Sequence, residues 1–181
     1  MAFNFLDRNS PHIWLAVFCG VIIVDFILVL LFRLLENNSW GNIINVWYDK
    51  FGIVAVMTDV ISVLICFWIT QWIYNSNVIF DKTNFKLWKF ILILIVVQTI
   101  HDLSLYFISK RLIGKNAIFD VFKNYGDKHG IYTLLGDSFV YTLAVLIAYG
   151  LLTLETPFST YIICILISLY AICYLLYQKW K

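Results

Sequence analysis

The chain has 181 residues, of which 62% are hydrophobic, 18% aromatic and only 13% charged, and its mean hydropathy is +0.85. Soluble domains are roughly 45–50% apolar and about 25% charged, so an ordinary soluble domain is excluded; the chain is too hydrophobic for disorder, and 8 Gly, 2 Pro and 4 Cys are too few for a collagen or a disulfide scaffold. The net charge of +2 comes from a few cations lying between apolar runs, which report membrane topology and not nucleic acid.

Crossing the hydrocarbon takes roughly 20 apolar residues at about 1.5 Å each. Five stretches qualify: 13–35, 51–74, 87–109, 131–154 and 158–180. Continuous apolar runs make them helices, since barrel strands alternate in short segments. The expected fold is an all-α integral membrane protein, a five-transmembrane-helix bundle in one domain over 1–181 with no internal repeat. Ahead of the first span, Asp7 and Arg8 replace a basic leader region and no small-residue cleavage site follows, so that span is retained. Pro11 and Pro157 stand at helix starts, where proline is tolerated. Between spans three and four, Ile118, Phe119, Val121, Phe122 and Tyr125 recur at helical spacing among Lys115, Asp120, Lys123 and Asp127, which predicts a short interfacial amphipathic helix. It either hides its apolar face in the headgroup layer or docks a partner or an anionic lipid through Lys110, Arg111 and Lys115.

Alternating the loops places Arg8, Lys82, Lys86 and Lys89 on one side and the other nine Lys and Arg residues on the opposite side. The excess of positive charge predicts a cytoplasmic C-terminus and an N-terminus outside or in a lumen. Trp14, Trp40, Trp47, Tyr48, Trp72, Tyr74, Trp88, Tyr132, Tyr177 and Trp180 lie near span ends as interfacial belts, whereas Trp68 lies deeper. Cys19, Cys66, Cys164 and Cys173 fall within apolar runs without metal-site spacing and read as small apolar residues.

Four acids lie inside spans: Asp25, Asp59, Asp102 and Asp137. Each costs about 2.5–3.5 kcal/mol to insert, so such residues face a bundle interior or water. Asp59, Asp102 and Asp137 lie about 12, 10 and 9 Å from their cytoplasmic span ends, with His101 in the same layer and Asp25 deeper, about 15 Å in. Thr58, Ser62, Gln98, Tyr106, Thr133 and Tyr141 accompany them at helical spacing. Arg33, at the end of the first span, can snorkel inward and pair with one acid. The others are then protonated, share protons, line water or hold a cation. A di-metal carboxylate site is disfavoured because Glu36 and Glu155 are outside the spans.

Residues 135–141, Leu-Gly-Asp-Ser-Phe-Val-Tyr, resemble part of the G-x-G-D motif of presenilin-type intramembrane aspartyl proteases. The resemblance puts Asp137 in the catalytic position with Asp102 or Asp59 as its partner, two carboxyls sharing a proton. Leu134 replaces the first glycine, no Tyr-Asp pair precedes, no Pro-Ala-Leu follows, and five spans stand against that family's nine.

The functional expectation is a cytoplasmic-side pocket of Asp59, His101, Asp102, Asp137, Asp25, Gln98 and Tyr141 that binds or passes a cation or proton. No organic cofactor is expected. The rival expectation is a structural or assembly component of an organellar, cellular or viral membrane, its acids serving helix packing alone; a third is an intramembrane aspartyl hydrolase. The expected partners are the lipid bilayer and, for conduction, further copies of the chain or other membrane-complex subunits.

Overall fold

The computed structural model describes residues 4–34, 39–112 and 114–177. The predicted span ends at 35 and 178–180, with Glu36, Lys179, Trp180 and Lys181, lie outside them. Among the described residues there are seven α-helices: α1 Pro11–Leu34, α2 Ser39–Phe51, α3 Ile53–Asn75, α4 Leu87–Arg111, α5 Ala117–His129, α6 Ile131–Thr153 and α7 Phe158–Tyr177. Helices α1, α3, α4, α6 and α7 are long and apolar enough to cross a membrane, so the chain is an all-α, multi-pass membrane protein. Helix α5 occupies the segment expected to be interfacial. Helix α2 occupies most of the stretch between the first two predicted spans, for which the span lengths predict no helix. Single glycines separate α2 from α3 and α5 from α6: Gly52 at φ 53° and Gly130 at φ 50° take the positive φ that favours glycine and interrupts a helix.

Residue contacts divide the chain into two compact units, Met1–Ile65 with Leu143–Lys181, and Cys66–Thr142. In the first unit α1 packs along α7, and α2 packs on α1. Helix α7 buries Tyr161, Ile165, Ser168, Ile172 and Leu176, three or four residues apart, a single helical stripe. Helix α1 contributes Ala16, Val17, Cys19, Gly20 and Val21 among others. The N-terminal segment is tied down by the Phe5 ring, edge-on to Tyr149 at 5.4 Å, and His12 stacks edge-on with Tyr161 at 5.1 Å.

In the second unit an aromatic cluster joins the end of α3 to the start of α4. Phe90 lies 5.2 Å from Phe67 and 6.3 Å from Phe85, and the Tyr74 hydroxyl accepts the Lys86 amide at 3.2 Å. Helix α4 buries Phe90, Ile93, Leu94, Val97 and Gln98. Its other side exposes Leu92, Val96, Ile100, Leu103 and Phe107, again three or four residues apart, and in a membrane this stripe meets lipid. Trp68 and Trp72 are likewise exposed. The deep tryptophan therefore faces outward.

Candidate functional site

The intramembrane acids fall into two sets. Asp25 and Asp59 belong to the first unit; Gln98, His101, Asp102, Asp137 and Tyr141 belong to the second.

Asp25, on α1, is 1% exposed, and among the described residues its Oδ2 has no hydrogen-bond partner. Asp59, half-buried on α3, lies within electrostatic range of it. Asp59 accepts a hydrogen bond at Oδ2 from the Trp47 indole N–H at 3.3 Å. Trp47 comes from α2, so this residue, read from sequence as belt, supports an acid. The Ser62 hydroxyl donates to the Asp59 main-chain carbonyl at 2.9 Å and the Thr58 hydroxyl to that of Val54 at 2.8 Å. These two side chains satisfy the helix backbone.

Arg33 departs from expectation. Its guanidinium pairs at 2.5 Å with Asp49 of α2, outside the spans. The side chain snorkels toward the interface, where Asp49 is 57% exposed, because hydration is available there and absent deeper in the bilayer. Asn45 adds a second tie from α2 to α1, donating to the Phe32 carbonyl at 3.0 Å.

The second unit holds a continuous hydrogen-bonded chain. His101 Nδ1 is 3.0 Å from Asp102 Oδ1, the Gln98 amide donates to Asp102 Oδ2, and the Ser138 hydroxyl of α6 lies 2.8 Å from Gln98 Oε1. Ser138 shares its single proton with the Leu134 carbonyl at 2.7 Å. Gln98 is fully buried, while the His101 and Asp102 side chains are 26% and 19% exposed. The buried Tyr141 hydroxyl reaches the Cys66 thiol, on which Asp102 also acts electrostatically. Cys66 and Ser138 are thus neighbours of the predicted site that polarity at single positions did not reveal. Asp137 is half-buried, one residue before Ser138.

Tyr106 leaves the polar stripe predicted around Asp102 and joins α4 to α5. Its ring packs against Gly126, where an added Cβ would come within 2.8 Å of it, and its hydroxyl donates to Asp127 Oδ1 at 2.8 Å. Lys123 donates to Asp127 Oδ2 at 2.7 Å. These bonds, that from Lys123 foremost, hold the Asp127 carboxyl below the usual carboxylate range.

Chemically, the first set can hold a proton or a cation, and the second can relay polarity between α4 and α6. Among the described residues no three His, Cys, Asp or Glu side chains stand together as a metal-ligand set. Comparison with protein-family models, with curated proteins and with solved structures found no match, so the seven-residue likeness to presenilin-type proteases assigns no family.

Proposed function

We propose that the chain is a small, non-enzymatic, multi-pass membrane protein whose intramembrane carboxylates bind or pass a proton or a cation. The observation that carries this reading is Asp25: it is 1% exposed within a membrane-crossing helix, its Oδ2 has no hydrogen-bond partner among the described residues, and a second carboxyl, Asp59, is in electrostatic range. Two carboxylates in low dielectric repel each other and lack solvation, so a bound proton or cation relieves both costs. Asp102 with His101 is a further proton-holding pair. The four-to-nine division of Lys and Arg supports placing the C-terminus in the cytoplasm, and the short chain favours an oligomer for any conduction.

The test replaces Asp25, Asp59 and Asp102 singly by Asn in proteoliposomes carrying a proton-sensitive dye or a cation tracer. Wild type gives flux above empty vesicles, and Asp25→Asn and Asp59→Asn return it to the empty level. Infrared spectra show a carboxylic-acid band that Asp25→Asn removes. Unchanged flux and an unchanged band in all three variants would sink the reading.

A specific observation favours a second reading, that of a packing or assembly component. The Ser138–Gln98–Asp102–His101 chain is an interhelical polar link of the kind that fixes membrane helices, worth about 0.6 kcal/mol per contact. On that reading Asp102→Asn leaves flux untouched and Ser138→Ala loosens the packing of α6 on α4.

A further inference from the structure

We infer that the elbow between α4 and α5 is a headgroup site for an anionic phospholipid. The inference is independent of the carboxylates and rests on charge, turn geometry and the exposed side of α4.

The segment from Lys110 to His129 carries the cations Lys110, Arg111, Lys115, Lys123 and Lys128, and the acids Asp120 and Asp127. Both acids are already engaged: Asp120 accepts the Gly114 amide at 2.8 Å, and Asp127 is held by Lys123 and Tyr106. Lys110 stands over the Tyr106 ring, 4.4 Å from its centroid. Arg111 and Lys115 are exposed and, among the described residues, have no carboxylate partner. The turn returns the backbone of Lys115 to the end of α4 that carries Lys110 and Arg111. The Leu112 amide closes onto the carbonyls of Ile108 and Ser109, the Lys115 amide returns to the Leu112 carbonyl at 3.0 Å, and the Asn116 side chain caps α5 by accepting the Ile118 amide at 2.8 Å.

Position relative to the bilayer selects the ligand. The exposed stripe Ile100, Leu103 and Phe107 continues one helical turn further to Arg111. A lipid whose acyl chains lie along that stripe places its phosphate among Arg111, Lys110 and Lys115. Helix α5 buries none of its residues in the protein, as expected of a helix that rests its apolar face in the headgroup layer. Phosphatidylcholine offsets its own phosphate with an ammonium group. A diacyl lipid of net negative charge is what Arg111 and Lys115, beside a Lys110 that Asp127 offsets only in part, fit.

The experiment uses the full chain in vesicles containing spin-labelled phosphatidylglycerol or spin-labelled phosphatidylcholine, and reads the motionally restricted fraction of each. Wild type restricts phosphatidylglycerol several-fold more than phosphatidylcholine, and the preference shrinks as salt is raised. Removing each cation weakens it by about fivefold or less, so Lys110→Gln/Arg111→Gln/Lys115→Gln brings the two lipids to parity. Lys86→Gln/Lys89→Gln, at the opposite end of α4, keeps the preference. Equal restriction in wild type, salt independence, or a triple variant with full selectivity would overturn the proposal. So would displacement of the lipid by inorganic phosphate at constant ionic strength, which points to a free-anion site. A triple variant that turns an oligomer into a monomer in lipid-free detergent would assign the elbow to a second copy of the chain. Should the triple variant fail to fold, the wild-type lipid comparison and its salt dependence still decide.

Discussion

At Gly20 of α1 an added Cβ would lie 2.5 Å from the Ala144 carbonyl oxygen and 3.2 Å from the Ala148 amide nitrogen, both backbone atoms of α6. Backbone cannot yield as a flexible side chain does, so Gly20→Ala is expected to cost about 1–3 kcal/mol. Gly150→Ala on α6, where a Cβ meets nothing within 4 Å, is expected to be neutral or stabilising by up to about 1 kcal/mol. Denaturation of the purified protein in mild detergent, followed by circular dichroism, separates the two. Arg33 and Asp49 make an unequal pair, since the arginine side chain is 4% exposed and the aspartate 57%. Asp49→Ala strands a buried guanidinium and should cost about 2–4 kcal/mol. Arg33→Met leaves a carboxylate that water already solvates, and should cost about 1 kcal/mol or less. Equal losses would contradict this account. The sequence marked Arg33 as a snorkelling residue, but the choice of Asp49 over an intramembrane acid depends on where α2 folds back.

Helices α2 and α5 are the elements whose legibility differed most. Helix α5 was readable because its apolar residues alternate with charges at helical spacing. Helix α2 carries the same spacing in Trp40, Ile43, Ile44, Trp47, Tyr48 and Phe51, but at 13 residues it is too short to span, and a search by span length passes over it. Helix α2 nevertheless supplies the indole that supports Asp59 and the carboxylate that pairs with Arg33. The seating of α5 on α4 should depend on pH through Asp127. Its folded-state carboxyl is held below the ordinary range, so the contribution is fully present above that range and is lost as pH falls through the lowered value. The protection of the α5 amides, taken against the intrinsic exchange rate at each pH, is therefore expected to fall on acidification below the ordinary carboxylate range. Asp127→Asn should exchange fast at neutral pH and lose this pH response. An Asp127→Asn profile identical to that of wild type would remove the clasp.

For the whole molecule, the orientation proposed from the Lys and Arg bias can be read by labelling with a membrane-impermeant maleimide. Asn9 and Asn124 are both exposed, and the native cysteines sit within membrane helices. A cysteine replacing Asn9 should label from outside intact cells and one replacing Asn124 only after permeabilisation; the reverse pattern overturns the orientation. Class, number of spans and most span boundaries were determined by the sequence alone, because hydrocarbon thickness and the cost of unsatisfied backbone act locally along one chain and leave only long apolar helices. The same local cost singled out Asp25, Asp59, Asp102 and Asp137 as unusual. Which groups meet them was decided only by tertiary structure: Trp47 on Asp59, Gln98 and His101 on Asp102, Ser138 on Gln98, and, among the described residues, no hydrogen bond on Asp25 Oδ2. Those partnerships depend on how each helix is rotated and on where the short interfacial helices fold back, and neither is fixed by hydrophobicity along the chain.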